Sequence, residues 1–208
     1  MEDKIMNKFF QNTCKPQGAV GKLMVTMMNK GHAGLAGWGL SHLALRDGMD
    51  ILDIGCGGGA NLAAMLLAAP QINAVGMDYS SVSVEKSRQT NNAAVRAGRC
   101  RIIQGDASAL PFEGNSFDLI TAFETVYFWP ELDSCFRQVC HTLRTGGIFL
   151  ICNEESDPKN DRWSKLIQGM TIYSGEDLKD RLEKAGFADV SYEYEEKRHW
   201  LCITAKKA

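Results

Sequence analysis

The sequence lacks several features that define large classes of proteins. Its 208 residues contain no apolar run near the roughly 20 residues that a membrane-spanning helix needs, so no membrane span is expected. The N-terminus, MEDKIMNKFF, has no apolar core before a small-residue cleavage site, so no secretory signal is expected. With 23 basic and 25 acidic residues, the net charge is −2, and no basic stripe favours binding to nucleic acid.

The seven cysteines are scattered and include no C-x-x-C pair. Such a set fits neither a disulfide framework nor a zinc site. We therefore expect free thiols, no bound metal and a reducing, cytoplasmic location. What is present is a globular composition, 45% hydrophobic and 23% charged, which is sufficient for one domain with its own core. The oligomeric state, monomer or homodimer, is left open.

From residue 49 onward, short apolar runs alternate with longer segments of helical spacing. Strands are predicted at 49–54, 72–78, 100–106, 117–123 and 148–152, and helices at 61–69, 81–97, 131–143 and 174–187. Continuous apolar strands separated by helices are typical of a parallel sheet covered on both faces. Residues 188–207 predict two further strands around a charged turn, added antiparallel at one edge. The predicted fold class is α/β with a doubly wound sheet.

The first 48 residues have a different character. Apolar residues recur at helical spacing over 18–45, but glycines interrupt them at 31, 34, 37 and 39. We predict two short helices around a glycine-rich bend at Gly31–Gly39. This N-terminal helical cap (1–48) would cover a cofactor-binding domain (49–208).

The strongest local pattern is DIGCGGGAN, residues 53–61, between a predicted strand and a predicted helix. Glycine permits positive φ and close approach of the backbone to a ligand. The helix N-terminus that follows offers unpaired N–H groups. The stretch GCGGGA also fits a dinucleotide-binding fingerprint, and a tight turn without any ligand is the simpler alternative.

Three carboxylates narrow the choice of ligand. Asp78 closes the second predicted strand, where an acid can accept hydrogen bonds from ribose hydroxyls. Asp106 closes the third, where a carboxylate suits an adenine amino group. Asp53 precedes the glycines, where it would repel a pyrophosphate and attract an ammonium or sulfonium. An amino acid joined to adenosine satisfies all three positions.

With these residues the sequence resembles the class I S-adenosylmethionine (SAM)-dependent methyltransferases, especially the methyltransferase type 11 or UbiE-like group. The resemblance rests on motifs in register: LDIGCGGG (52–59), VGMDYS (75–80), QGDASALPFEGNSFDLITAFET (104–125), LRTGG (143–147) and EDLKDRLEKAGF (176–187). It implies a Rossmann-like seven-stranded sheet of order 3-2-1-4-5-7-6, with strand 7 antiparallel.

The resemblance also implies a cofactor, SAM, a product, S-adenosylhomocysteine (SAH), and a set of binding residues. Those implied to bind the cofactor are Asp53, Gly55, Cys56, Gly57, Asp78, Tyr79, Ser80, Asp106, Ala107, Ser108, Phe123 and Glu124. Glu124 is also a candidate catalytic base or anchor for a cationic acceptor, with a structural role as the alternative. His32 is the second catalytic candidate, with a structural role again as the alternative. Candidates for lining the acceptor site are Asn29, His32, Trp38 and Tyr127.

These features favour a SAM-dependent methyltransferase that acts on a small molecule. After the fourth strand the chain reads AFETVYFWP (122–130) in place of the (D/N)PP(Y/F) motif of many enzymes that methylate amino groups of nucleic acids and proteins. Two alternatives stay open: an NAD(P)-dependent oxidoreductase, which would leave Asp53 and Asp106 without a role, and a SAM-binding protein without transfer activity. The sequence does not identify the acceptor or the atom that is methylated.

Overall fold

The computed structural model describes residues 31–160 and 162–208, together with Gly18, Gly21 and Met24. Its centre is a seven-stranded sheet of order β3-β2-β1-β4-β5-β7-β6. The strands are β1 (Asp50–Ile54), β2 (Asn73–Asp78), β3 (Cys100–Gln104), β4 (Phe117–Phe123), β5 (Leu143–Asn153), β6 (Phe187–Tyr194) and β7 (Leu201–Lys207). Strand β7 runs antiparallel to both of its neighbours, whereas β1 to β5 pair in parallel. The predicted strand order and the edge hairpin are therefore confirmed.

Helices pack on both faces of the sheet. They are α1 (Ala33–Leu40), α2 (Ala60–Ala68), α3 (Ser81–Thr90), α4 (Asn92–Arg96), α5 (Leu132–Thr142), α6 (Arg162–Leu166) and α7 (Gly175–Lys184), with a 3₁₀ turn at Val126–Phe128. A search of the described residues finds no helix with the length and apolar character that crossing a membrane requires.

The core consists of apolar clusters on opposite sides of the sheet. Leu52 packs on the α5 side with Phe136, whereas the preceding residue, Ile51, packs with Leu62 of α2. All four side chains are fully buried, and burying a side chain of this size stabilises the fold by about 1.5–3 kcal/mol. Because successive residues of a strand point to opposite faces and both faces are covered, the strands are apolar throughout.

The helix predicted over 81–97 is divided in two at Asn91. The Asn91 side-chain amide donates to the carbonyl oxygen of Gly59 at 3.0 Å and to that of Ser87 at 3.1 Å. This residue therefore ties the end of α3 to the glycine-rich loop. A new short helix, α4, begins directly after it.

Two other features differ from the expectation. The strand predicted at 148–152 begins earlier, at Leu143, so the two glycines at 146 and 147 lie inside β5. The pairing of β4 and β5 shifts register between Phe117 and Leu119, and Gly146 adopts a φ of +78° to accommodate the extra residues. Helix α6 was not predicted, because its five residues are too few to show a helical period.

The predicted bend at Gly31–Gly39 is wrong over residues 33–40, which form helix α1. Glycine serves close packing there: an added Cβ at Gly39 would lie 2.8 Å from Cys152 Sγ and 2.9 Å from Phe123 Cε1. Helix α1 therefore sits directly on the ends of β4 and β5. The other helix expected within 18–45 lies largely outside the described residues, and the division into 1–48 and 49–208 stays a prediction.

Candidate active site

A cavity of about 360 Å³ opens at the carboxyl ends of the central strands. Its volume is within the range of small-molecule sites, and this edge of a parallel sheet is where such folds bind ligands. The lining residues are His32, Leu35, Ala36, 54–58, Ala60, Asn61, 77–79, Ser83, 105–107, 123–125, 128–130, Gln168 and Gly169. The structure thus brings together the glycine loop, the ends of β2 and β3, and the loop after β4.

The glycines of the loop are required for different reasons. A Cβ on Gly55 would lie 2.2 Å from Thr125 Cγ2, and one on Gly59 would lie 2.4 Å from Ser87 Oγ, so both are held by packing. Gly57 has a φ of +51°, but an added Cβ would meet nothing within 4 Å. Because Gly57 also lines the cavity, the space beside it is left for a ligand.

Gly98 provides a matched control for Gly57. It also has positive φ (+73°) and open space where a Cβ would be added, but it lies away from the cavity. We expect Gly57→Ala and Gly98→Ala to lose a similar amount of stability, about 1–2 kcal/mol, in denaturant titrations. Only Gly57→Ala should weaken SAH binding, by tenfold or more in calorimetry. Equal SAH affinities in the two variants would contradict the assignment of Gly57 to the ligand site.

Asp78 joins the glycine loop to the end of β2. Its Oδ2 accepts from the Gly57 N–H at 2.9 Å, and its Oδ1 accepts from the Ser80 N–H at 2.8 Å. Burial raises the Asp78 pKa, and these backbone hydrogen bonds oppose the rise. Each carboxylate oxygen has a second lone pair, so Asp78 holds the loop in place and can still accept hydrogen bonds from a ligand.

Asp53 is almost completely buried and does not line the cavity. Thr121 Oγ1 donates to its Oδ1 at 2.7 Å, while its Oδ2 has no partner among the described residues. Burial raises the Asp53 pKa to about 7. Asp53 is therefore not positioned for the direct contact with a ligand cation that the sequence predicted. The unpaired oxygen still requires a donor, such as a bridging water or an ammonium, and so fits the charge expected for SAM.

Two serines predicted to bind the cofactor lie outside the cavity lining. Ser80 is the N-cap of α3 and accepts from the Ser83 N–H at 3.4 Å. Ser108 donates to Asp106 Oδ1 through its backbone N–H at 2.8 Å and its hydroxyl at 2.6 Å. Ser80 thus caps α3, and Ser108 orients the Asp106 carboxylate. The other predicted residues in these motifs do line the cavity: Cys56, Tyr79, Asp106 and Ala107.

Glu124 occupies the other end of the cavity, directly after β4. It is a non-glycine residue with a φ of +60°, a conformation that costs energy and is concentrated at functional sites. Its N–H donates to the Cys152 carbonyl at 2.9 Å, and its Oε1 accepts from the Tyr127 hydroxyl at 3.1 Å and from the Glu154 N–H. Burial raises the Glu124 pKa to about 8.

The candidates for the acceptor side are placed differently from one another. His32 lines the cavity, its Nε2 lies 3.7 Å from Glu154 Oε2, and burial lowers its pKa. Trp38 does not line the cavity, since its ring packs edge-on against His42, with a centroid distance of 4.9 Å, and beside Trp200. Asn29 lies outside the described residues.

Tyr127 does not line the cavity either, because it is buried behind Glu124. Besides its contact with Glu124, its hydroxyl accepts from the Glu155 N–H at 2.9 Å. The expectation that Tyr127 contacts the acceptor is therefore corrected. It supports Glu124 and the loop after β5.

We expect Tyr127→Phe to lower the free energy of unfolding by about 1–3 kcal/mol, because the partly buried Glu155 N–H loses its acceptor. SAH binding should change by less than twofold, since the cavity lining is intact. The control is Tyr192→Phe, a partly exposed position, which should change stability by less than about 0.5 kcal/mol. Urea denaturation measures both variants, and equal losses would show that the Tyr127 hydroxyl is not structural.

Several residues that line the cavity or lie beside it were missed by sequence reasoning. Glu154 follows β5 at the edge where β1 to β4 also end, and that rule alone could have identified it. Gln168 and Gly169 come from the segment after α6, which carries no local pattern that points to a ligand site.

Comparisons with known proteins agree with this geometry. A family model described as Methyltransferase domain matches residues 45–199. An O-methyltransferase of Pyrenophora dematioidea is 29% identical over 154 residues, covering 71% of this chain and 57% of the relative. A sterol 24-C-methyltransferase of Pneumocystis carinii is 25% identical over 157 residues, covering 72% and 40%. The chain thus spans about half the length of the curated relatives it matches.

The fold is also shared with solved structures. A Haemonchus contortus N-methyltransferase, solved in complex with SAH, superposes with a TM-score of 0.75 at 15% identity, covering 89% of this chain and 57% of that one. At this identity the likeness concerns the fold alone. The comparisons do not specify the UbiE-like group. Since the family model covers most of the chain, the protein belongs to the Methyltransferase domain family, as its resemblance to class I SAM-dependent methyltransferases implied.

Proposed function

We propose that the protein is an enzyme that transfers the methyl group of SAM to a small-molecule acceptor and releases SAH. The observation that carries the proposal is the hydrogen bond from the Gly57 N–H to Asp78 Oδ2. It lies in the glycine-rich loop, where the space beside Gly57 is unfilled. The Asp78 carboxylate is suited to accept hydrogen bonds from ribose hydroxyls, and it lies beside a stretch of backbone that a ligand can approach closely.

The remaining cavity residues fit the other parts of SAM. Asp106 and Ala107 lie at the end of β3, where they suit the adenine edge. The loop around Gly55 suits the methionine part, and the unpaired Asp53 Oδ2 provides the negative charge that its ammonium requires. An NAD(P) dinucleotide would bring a pyrophosphate close to the same carboxylate, which disfavours the oxidoreductase alternative.

Methyl transfer requires that nucleophile, methyl carbon and sulfur be held in line. The acceptor lone pair forms the new bond to carbon while the C–S pair returns to sulfur, so much of the catalysis comes from alignment and exclusion of water. In this arrangement Phe123, Glu124 and His32 surround the acceptor end, and Phe128 and Trp129 add apolar walls. We assign Glu124 and His32 to the acceptor side of the reaction.

Calorimetry with SAH and with NADH is the direct test. We expect SAH to bind and NADH not to bind, and the reverse would overturn the proposal in favour of an oxidoreductase. Transfer of a labelled methyl group from SAM to an extract of small metabolites then tests activity. Tight SAH binding without transfer in any fraction would favour a binding protein without activity.

We propose that the acceptor is a small molecule. The proposal does not specify whether oxygen or carbon is methylated, since one of the two relatives named above is an O-methyltransferase and the other a C-methyltransferase. A cytoplasmic location is part of this proposal, supported by the six described cysteines, all of which are free and buried. A nucleic-acid acceptor is not proposed, because the net charge is −2.

A further inference from the structure

We propose that His32, Glu124 and Glu154 bind one divalent transition-metal ion at the acceptor end of the cavity. This inference rests on the function proposed above and adds a metal ion beside the acceptor. Binding of the ion itself does not require SAM, so the two proposals can fail separately. It departs from the expectation, drawn from the cysteine spacing, that no metal is bound.

The distances among the three side chains fit a metal site. One ligand atom from each of them lies within 4.8 Å of the other two, and His32 Nε2 lies 3.7 Å from Glu154 Oε2. Ligands bound at about 2.0–2.2 Å are separated from one another by about 3–4.4 Å. The Glu154 side chain is 54% exposed and so has room to adjust its position toward the other two ligands.

Three separate segments hold these ligands in place. His32 directly precedes α1, Glu124 follows β4, and Glu154 follows β5. Helix α1 is fixed against the ends of both strands by the close packing of Gly39. The ligand positions therefore depend on the rigid part of the fold and not on a single loop.

The hydrogen bonds of Glu124 leave one of its oxygens for the ion. Its Oε1 is occupied by the Tyr127 hydroxyl and the Glu154 N–H, whereas its Oε2 has no hydrogen-bond partner in the described part of the chain. Such outer hydrogen bonds orient the first ligands in metal sites. Tyr127 is thus a positioning residue for Glu124.

In the described part of the chain, His32 is the only basic residue that pairs with either carboxyl group of the site. Within the described ranges, neither Glu124 nor Glu154 forms an ion pair with a lysine or arginine, although their carboxylates lie close together. One imidazole and two carboxylates suit first-row ions such as Zn²⁺ and Mn²⁺.

An ion with three protein ligands has positions left for other molecules. His32 and Glu124 both line the cavity, so these positions face the space assigned to the acceptor. The ligand class that the site would take is therefore an oxygen-containing acceptor, such as a hydroxyl or carboxylate compound, bound to the ion through its oxygen.

Equilibrium dialysis against Mn²⁺ or Zn²⁺ tests the proposal. We expect the wild type to bind about one ion of at least one of these metals, and His32→Ala and Glu154→Gln to bind it at least tenfold more weakly. The matched control is His42→Ala, which removes a histidine that also lies near a glutamate, Glu193, at 3.5 Å but without a third ligand. That control should bind metal as the wild type does.

Failure of the wild type to bind either metal would overturn the metal site, and so would equal losses in His42→Ala and Glu154→Gln. SAH calorimetry on the same samples separates the two proposals. Glu154 does not line the cavity, so Glu154→Gln should retain SAH binding, which also shows that the variant is folded. If the wild type binds metal but not SAH, the proposed methyl transfer is contradicted and the proposed metal site is supported.

Discussion

Replacing Asp78 by alanine is expected to weaken SAH binding by about 1.5–3 kcal/mol, or roughly 10- to 150-fold. Two losses contribute. The ribose hydroxyls lose a charged acceptor, and the Gly57 N–H loses the oxygen that holds the glycine loop at 2.9 Å. Calorimetry measures the change in affinity, and thermal unfolding without ligand shows whether the variant is folded.

Asp180→Ala is the control for Asp78→Ala, since Asp180 is exposed on α7 and away from the cavity. It should bind SAH as the wild type does. Asp78→Asn retains the shape of the side chain and one acceptor oxygen, so its affinity should lie between those of the wild type and Asp78→Ala. An Asp78→Ala protein that is folded and binds SAH with wild-type affinity would remove Asp78 from the cofactor site.

Replacing Asp53 by asparagine is expected to stabilise the ligand-free protein by about 2–4 kcal/mol at pH 8. The ionised carboxylate is buried with an unpaired Oδ2, whereas a neutral amide avoids the cost of burying a charge. The asparagine oxygen can still accept from Thr121. SAH binding should weaken at the same time, because the negative charge that attracts the ligand ammonium is lost.

The stabilisation expected for Asp53→Asn depends on pH. The Asp53 pKa of about 7 in the folded state lies above the unfolded value, so the folded protein holds the proton more tightly. The contribution of the protonated carboxyl is complete below about pH 4 and is lost as the pH rises through about 7. The stability difference between Asp53→Asn and the wild type should therefore be small at pH 4 and largest above pH 7.

Urea denaturation at several pH values measures this difference, and taking it between two proteins cancels the titration of all other groups. Asp180→Asn, the same substitution at an exposed position on α7, is the control and is measured at the same pH values. A difference of the same size at pH 4 and pH 8 for Asp53→Asn would show that the buried charge is not the source of the effect.

The part of the cavity that we propose to hold the cofactor was predictable, because its residues follow local patterns. Asp78 and Asp106 each end an apolar strand, and Gly57 lies in a glycine cluster between a strand and a helix. Strand ends of a parallel sheet meet at one edge, so positions along the chain are sufficient to bring these residues together. The strand order followed from the resemblance, and the continuous apolar runs predicted the parallel sheet.

The same motifs also contain residues whose contacts in the structure are with the protein itself. Ser80 and Ser108 sit inside the matching motifs but cap a helix and orient Asp106. Trp38 packs on His42, and the glycines before it belong to a helix that Cys152 contacts closely. Of these contacts, only the close packing of Gly39 against Cys152 joins distant parts of the chain, and a contact of that kind leaves no period in the sequence.

The acceptor half depends on the tertiary structure alone. Glu154 was not predicted, and the sequence did not indicate that His32 and Glu124 lie together. The fold brings one ligand atom from each of the three residues within 4.8 Å of the other two. Residues 31–40 reach that position because Gly39 lets α1 lie against β4 and β5. The sequence alone indicated the sheet and the cofactor through contiguous motifs, whereas side chains from three distant segments converge only when the helix packs on the strands.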